Sequence, residues 1–324
     1  MNQPPLVSVL LPVYNGMPYL AETIDSIVEQ TFSDWELVIV DNASDDGSVE
    51  YVESRMATDS RIRLLRNEIN LGVTKGLKRG LVHCRGRWIA RIDADDRALP
   101  RRIGRQVAFM VANPDVVAVS CFAHYIDARG NRLGVMPNDL TTRDDYSRYM
   151  AENGLIGILH PGALIDAAAL QAIGDYRPDY EPAEDIDLWN RLSERGAVLV
   201  MPEFLMEYRL HGGSVLAGSS RRAYMARQWV QASMLARRRG EPEPAKDEFE
   251  AEWRSAPLLT RLSRNREFCA EMLTRRGREN LAAGARVTGL VKLAIATLLR
   301  PAYTWPRLKK HKQAREMAAG LSAP

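Results

Sequence analysis

Cysteine is scarce: Cys84, Cys121 and Cys269 are the only three in 324 residues. They lie far apart and form no CxxC pair, so neither a disulfide framework nor a thiolate metal site is expected. A reduced, cytoplasmic compartment fits such usage. A charge excess of one sign is also lacking, the formal net charge being only +3. A nucleic-acid binder would need a concentrated basic face, so no nucleic-acid partner is expected. Long apolar runs are missing. The longest near the C-terminus, Val287 to Leu299, is interrupted by Lys292 and is too short and polar to span a bilayer. No basic region precedes the first apolar run, which contains Pro12 and has only strand length, so a secretory signal is not expected. No glycine-rich GxGxxG turn follows that run, which disfavours a dinucleotide cofactor. Internal repeats and low-complexity tracts are absent too.

What is present is enough apolar residue, 46%, to bury a sizeable core. The length suggests one large domain, or one domain with an appendage. Residues 7–13, 35–40, 88–92 and 116–122 are apolar runs of strand length, as suits strands covered on both faces. Amphipathic helix patterns lie between them. Leu20, Ile24, Ile27 and Val28 share one face of the first; Gly72 to Cys84 and Ile103 to Val111 make two more. Such alternation implies a mostly parallel sheet with helices on both sides. Beyond residue 126 the expected order is a helix at 141–151, a strand near 155–165, a helix ended by Gly174 and a helix from Asp185 to Arg195 closed by Gly196. Short strands at 197–201 and 204–210 and a long arginine-rich helix ending at Gly240 come next. Prolines and acids cluster in 241–250, the best linker candidate, and everything after it reads helical.

Polar clusters stand at the ends of the predicted strands, where open α/β sheets bind ligands. They are Pro12-Val13-Tyr14-Asn15, the run Asp41 to Ser48, and Asp93-Ala94-Asp95-Asp96. An acid ending the second strand, Asp41, can bond a ribose or a base; the alternative is a loop with a helix N-cap. Two carboxylates one residue apart, Asp93 and Asp95, can both reach Mg²⁺ or Mn²⁺, hard cations that share their shell with substrate phosphates. Asp96 reads as a cap of the next helix. Glu184-Asp185-Ile186-Asp187-Leu188-Trp189 places Asp185 at the edge of an apolar helical face. A partly desolvated carboxylate there suits a general base, although acids in a first turn also simply meet the helix dipole. Tyr208-Arg209-Leu210-His211-Gly212-Gly213-Ser214 offers a cation and an imidazole beside glycines, fit for a diphosphate or a metal shell, or else a surface turn. His160 before Pro161-Gly162 can line an acceptor cleft.

Together, in this order, the clusters resemble glycosyltransferase family 2, the inverting family with the GT-A fold. The similarity rests on residues 7–48, NLGVTKGLKRGL (70–81), GRWIARIDADD (86–96), AEDIDLWNRL (183–192) and YRLHGGS (208–214). It covers roughly residues 6 to 215. The fold it implies is α/β: a Rossmann-like, mostly parallel central sheet flanked by helices, with a helical C-terminal extension. The domain division it implies is 1–215 catalytic, with a nucleotide-sugar half to about 126 and an acceptor half from 127, and 216–324 as the extension. The resemblance assigns Pro12, Tyr14, Asn15 and Asp41 to the nucleoside and Asp93 and Asp95 to Mn²⁺ or Mg²⁺, with Asp93 also facing the donor. It makes Asp185 the base, and gives Arg209 and His211 to the diphosphate or metal. The donor would be a UDP-, dTDP- or GDP-linked sugar and the acceptor a glycan or a lipid-linked glycan, as in bacterial cell-surface polysaccharide or glycolipid synthesis. Lys75 and Lys78 depart from the family pattern and either sense phosphate or coat a helix. Processive members carry a QxxRW motif and membrane helices; here only Arg227-Gln228-Trp229 appears, so single-sugar transfer is expected. The two alternatives are a nucleotidyltransferase and a nucleotide-sugar-binding module without transferase activity. A nucleotidyltransferase needs a glycine-rich phosphate loop with a lysine, which 12–20 lacks; a binding-only module would lack one carboxylate set, and all are present.

One further pattern lies in residues 280–313. Val287, Leu290, Val291, Ala294, Leu298 and Leu299 make an apolar helical stripe, followed by Tyr303, Trp305 and a basic run of Arg307, Lys309, Lys310, Lys312 and Arg315. It reads equally as peripheral contact with the inner face of the cytoplasmic membrane or as packing on the catalytic domain or a second subunit.

Overall fold

The computed structural model describes residues 3–211, 220–282, 284–306, 308, 309 and 316. Strands β1 (Val7–Val13), β2 (Trp35–Asp41), β3 (Ile62–Arg66) and β4 (Trp88–Arg91) alternate with helices α1 (Leu20–Val28), α2 (Ser48–Met56) and α3 (Val73–Leu81). These four strands are parallel, in the order β3-β2-β1-β4. The chain winds outward from β1 to β3, then returns to place β4 on the other side of β1. The order therefore reverses between β1 and β4, and such a switch point opens a crevice at the carboxyl ends of the strands. Continuous burial along β1, β2 and β4 explains their unbroken apolar sequences.

After β5 (Arg97–Ala98) and α4 (Arg102–Ala112) come β6 (Val116–Ile126), β7 (Arg132–Met136), α5 (Arg143–Ala151), β8 (Leu164–Asp166) and α6 (Ala167–Ala172). Then follow α7 (Glu184–Leu192) and β9 (Ala197–Arg209). The sheet continues β4-β8-β6-β9-β5, with β7 on β6. Beyond β4 the pairs β4-β8, β6-β8 and β5-β9 are antiparallel. Most expected elements stand where the sequence placed them, including a left-handed Gly174 after α6. Four differ. Residues 155–165 are not one strand: Pro161 and Gly162 make a 3₁₀ turn, His160–Gly162, and only Leu164–Asp166 is extended. The two strands at 197–201 and 204–210 are the single β9, which carries Pro202 at an exposed position. Helix α7 begins at Glu184 and ends at Leu192, its last turn closing through Arg195 N donating to Leu192 O at 2.8 Å. The linker shortens to 241–245, because α9 (Lys246–Ser255) already starts inside the acidic run.

The chain divides into two compact units, Met1–Ala123 with Leu140–Tyr208, and His124–Asp139 with Arg209–Pro324. In the first, one core runs from Leu10, Val38 and Val40 through Ile89, Ile165 and Phe122 to Tyr176, Leu188, Trp189 and Val198. In the second, α8 (Ser220–Arg238), α9, α10 (Leu258–Ala282) and α11 (Arg286–Leu299) follow one another. Tyr224 of α8 packs its ring 5.6 Å from Phe268 of α10, and Arg227 pairs with Glu271 at 2.7 Å. Helices α10 and α11 run antiparallel at close approach. A Cβ on Gly277 would lie 2.7 Å from Leu293, and one on Gly289 2.8 Å from Leu281.

Candidate active site

The loops after β1 and β2 are stitched together. Asn15 N donates to Ser44 Oγ at 2.9 Å, Gly16 N to Ser48 Oγ at 3.0 Å and Met17 N to Asp46 Oδ2 at 2.8 Å. Asp45 N returns a bond to Asn15 Oδ1 at 3.0 Å. Burial pushes the Asp46 carboxyl up, but the bonds it accepts from Ser48 and Met17 outweigh that and hold it below its ordinary value. The polar run after β2 is thus a self-bonded loop, and the residue capping α2 is Gly47, without a side-chain bond. Asp41 is buried and accepts from Ala43 N at 3.1 Å and Ser44 N at 3.2 Å. Pro12 is buried in β1, while Tyr14, the residue after that strand, is 54% exposed. Lys78, whose role the sequence left open, bonds Tyr176 O at 2.9 Å and pairs with Asp175; Lys75 is exposed on α3.

On the other side of the switch point, β4 delivers Asp93, Asp95 and Asp96. Ile92 N donates to Leu10 O at 3.2 Å, which keeps the chain beside β1 until the first of them. One carboxylate oxygen from each of the three lies within 4.8 Å of the others. Three hard oxygen donors so close fit a divalent cation such as Mn²⁺ or Mg²⁺. Asp96 does not cap the next helix. Strand β5 intervenes, α4 takes Arg101 at its N-cap, and Asp96 is buried within the acidic cluster.

Behind these acids lies a buried network that pattern reading missed. Arg91, 3% exposed inside β4, pairs with Asp93. Burial works against its charge, but Asp93 more than compensates and raises the guanidinium's pKa. Arg102 of α4 is fully buried and donates to the Arg91 carbonyl at 2.7 Å; burial lowers its pKa to about 10. His160, far from lining an open cleft, is buried, its Nε2 2.6 Å from the Tyr176 hydroxyl and its ring edge-on to Trp189. Burial and the nearby Arg91 charge push the imidazole well below its ordinary pKa, so it is neutral. The Tyr176 phenol is raised by burial, moderated by Arg91 and raised further by Glu184, Asp185 and Asp93. That phenol therefore feels both acidic groups, the one after β4 and the one opening α7.

Helix α7 is fixed from its far side. Asp187 is fully buried and accepts from Arg177 Nε at 3.0 Å and Arg191 Nε at 2.9 Å. Asn190 exchanges bonds with the Ile156 backbone at 3.1 Å. The first turn then presents Glu184 and Asp185. Burial, then repulsion from Asp185, raises Glu184 to about 7. The sequence signal for the hidden network was a charged residue, Arg91, in a strand otherwise built of apolar side chains, since a buried charge requires a partner.

The remaining two predicted residues belong to the second unit. Arg209 ends β9 and is buried, with Nη1 donating to Asp127 O at 3.1 Å; His211 is half-buried. Gly212, Gly213 and Ser214 lie outside the described residues.

The description "Glycosyl transferase family 2" matches residues 8–170. The chain belongs to glycosyltransferase family 2. A glycosyltransferase of Haemophilus influenzae, named as uncharacterized, is 30% identical over 220 residues, 65% of this chain and 68% of the relative. TuaG of Bacillus subtilis is 30% identical over 219 residues, 66% of this chain and 82% of its own. Two solved structures share the fold at low identity. S. aureus TarS (residues 1–349), in complex with UDP-GlcNAc, superposes with a TM-score of 0.58 at 16% identity over 92% of this chain and 91% of that one. The mannosyltransferase PcManGT of Pyrobaculum calidifontis, in complex with GDP-Man and Mn²⁺, gives 0.55 at 20% identity over 98% and 87%. The architecture is GT-A, as the motif order implied, and this family 2 member is a glycosyltransferase enzyme, which removes the nucleotidyltransferase reading.

Proposed function

We propose that the protein transfers one sugar, with inversion, from a nucleoside-diphosphate donor to an acceptor hydroxyl in cell-surface glycan or glycolipid synthesis. The observation that carries this is the trio Asp93, Asp95 and Asp96 gathered at the sheet's switch point, of which Asp93, like Asp185, acts electrostatically on the buried Tyr176 phenol. Support for the setting comes from TuaG, which bears the name of a teichuronic acid biosynthesis glycosyltransferase. Support for the donor class comes from the UDP-GlcNAc and GDP-Man in the two similar structures.

Asp93 and Asp95 would hold Mn²⁺ or Mg²⁺, which supplies Lewis-acid neutralisation of the leaving diphosphate. Arg91 fixes the Asp93 carboxylate from behind. Asp41 would accept from a ribose hydroxyl or a base N–H beside Pro12, Tyr14 offers a stacking face, and Asn15 ties the loop after β1 to the loop after β2. Asp185 takes the proton from the acceptor hydroxyl, a weak nucleophile that needs a placed base. Neutral His160 and the α7 bonds keep that helix in position. The family resemblance gives Arg209 and His211 to the diphosphate or the metal; both belong to the second unit, where the Arg209 guanidinium is enclosed and donates to the Asp127 carbonyl. The acceptor is a glycan, free or lipid-linked; a lipid-linked one lies at the inner face of the cytoplasmic membrane, where the enzyme would then work.

A screen of UDP-, dTDP- and GDP-sugars with Mn²⁺, reading nucleoside-diphosphate release, tests the reaction. One donor should be consumed, and Asp185→Asn should abolish turnover while leaving donor affinity unchanged. The amide has nearly the same shape but cannot accept a proton. Loss of donor affinity with an unchanged saturated rate would remove Asp185 from the role of base.

A further inference from the structure

We propose that the outer face of α11 docks the protein on an anionic membrane surface. Helix α11 has two apolar sides. One, Gly289, Leu293 and Ala296, is buried at the crossing with α10. The other carries Val287 (77% exposed), Leu290 (60%), Val291 (52%), Ile295 and Leu298 (85%), at the spacing of a single helical stripe. Trp305 follows, 56% exposed, with Lys309 Nζ 5.8 Å from its ring centroid. A contiguous aliphatic strip facing water is unfavourable unless it is an interaction surface.

Charge selects the occupant. Between Asn280 and Arg315 there are four arginines, four lysines and no aspartate or glutamate. Arg300 is balanced by Glu267 and Glu271 of α10, so the stripe's own segment keeps a strong positive excess. Arg307, Lys310, Lys312 and Arg315 lie outside the described residues and enter here only as sequence. Two copies meeting through this face would press like charges together. Anionic headgroups supply the opposite charge, and a lipid boundary accepts an aliphatic stripe ending in tryptophan. No helix among the described residues is long and apolar enough to cross a membrane, so the stripe lies on the surface. Each basic residue near such a surface strengthens binding roughly fivefold.

The purpose assigned to this docking, reaching a lipid-linked acceptor, rests on the proposed transferase activity; the docking itself needs no turnover. The test is co-sedimentation of the full chain with vesicles of phosphatidylcholine alone, or of phosphatidylcholine with phosphatidylglycerol. The protein should bind only the anionic vesicles, and less as salt rises. Leu290→Asp and Leu298→Asp should each weaken binding at least about tenfold. Both positions are exposed, so the circular dichroism and the turnover with a water-soluble acceptor should be unchanged. Failure to bind anionic vesicles, equal binding to both lipids, or binding that both variants retain overturns the proposal. So does a wild-type dimer that Leu298→Asp dissociates without any vesicle binding. Absence of nucleoside-diphosphate release from every protein would instead defeat the transferase reading and leave the sedimentation result standing.

Discussion

Arg91 carries a full charge inside an apolar strand, a placement that survives only with a partner. Its partner, Asp93, is also a proposed metal ligand, so one guanidinium serves both stability and site geometry. Arg91→Ala removes a cation that pairs with Asp93 and acts electrostatically on Asp96 and Glu184. The expected loss is about 1–3 kcal/mol in urea unfolding, less than for a fully enclosed pair because Asp93 is 34% exposed. Arg91→Lys should restore much of the stability but leave a weaker apparent Mn²⁺ affinity, because a point charge cannot orient a carboxylate as a fork does. A wild-type unfolding midpoint for Arg91→Ala would show that the pair contributes nothing. Glu184 gives a second expectation, in pH. Its ordinary value is 4.5 and the folded protein raises it to about 7, so folding favours the protonated form. That contribution is complete below about 4.5 and disappears as pH rises through about 7. In chelator, wild type should therefore lose melting temperature across this window relative to Glu184→Gln, which does not titrate. Parallel melting curves would refute the raised value.

Elements differ in how plainly the sequence announces them, and the reason is burial. Strands β1, β2 and β4 are covered on both faces, so their apolar runs leave no ambiguity. Strand β3 has the sequence IRLLR, with arginines at its second and last positions and only Ile62 fully buried; as an edge strand it has no such run, and it went unpredicted. Strands β5 and β7 are similarly unmarked, one having two residues and the other being largely half-exposed. The carboxylates of the site were legible because polar residues at the ends of buried strands stand out. Tyr176 was not, since its surroundings depend on elements distant in sequence; the Arg91–Asp93 pair is local, but only the burial of β4 makes a partner obligatory. Close packing gives a test at this scale. Helix α3 meets the sheet through Gly80, where a Cβ would lie 2.3 Å from Leu10 Cδ1 and 2.7 Å from Val40 Cγ2. Gly80→Ala should destabilise by roughly 1–3 kcal/mol through overpacking, read from chemical unfolding. It should do so despite alanine's better helix propensity, worth about 1 kcal/mol in the opposite direction. A more stable variant would mean that α3 can lift off the sheet at no cost.

Across the molecule, chemistry and anchorage are assigned to different parts of the chain. The acids after β4 and on α7 belong to the first compact unit, and the stripe on α11 to the second. Ligand linkage separates these assignments without requiring an acceptor. Anything that binds only the folded state stabilises it in proportion to the logarithm of its concentration, about 2.7 kcal/mol at a hundredfold excess over Kd. Mn²⁺ with the matching nucleoside diphosphate should therefore raise the melting temperature of wild type, and neither alone should raise it as far. Asp93→Asn with Asp95→Asn should abolish the rise, since Asp93 and Asp95 would hold the cation that neutralises the diphosphate. The same double variant should sediment with anionic vesicles as wild type does, because no residue of the stripe has changed. Its ligand-free melting temperature should fall, because Asp93→Asn leaves the buried Arg91 charge without the carboxylate it pairs with, and relief of repulsion within the acidic trio offsets only part of that loss. A double variant that still gains the full thermal shift with Mn²⁺ and nucleotide would move the metal site away from the end of β4, whatever the turnover assays report.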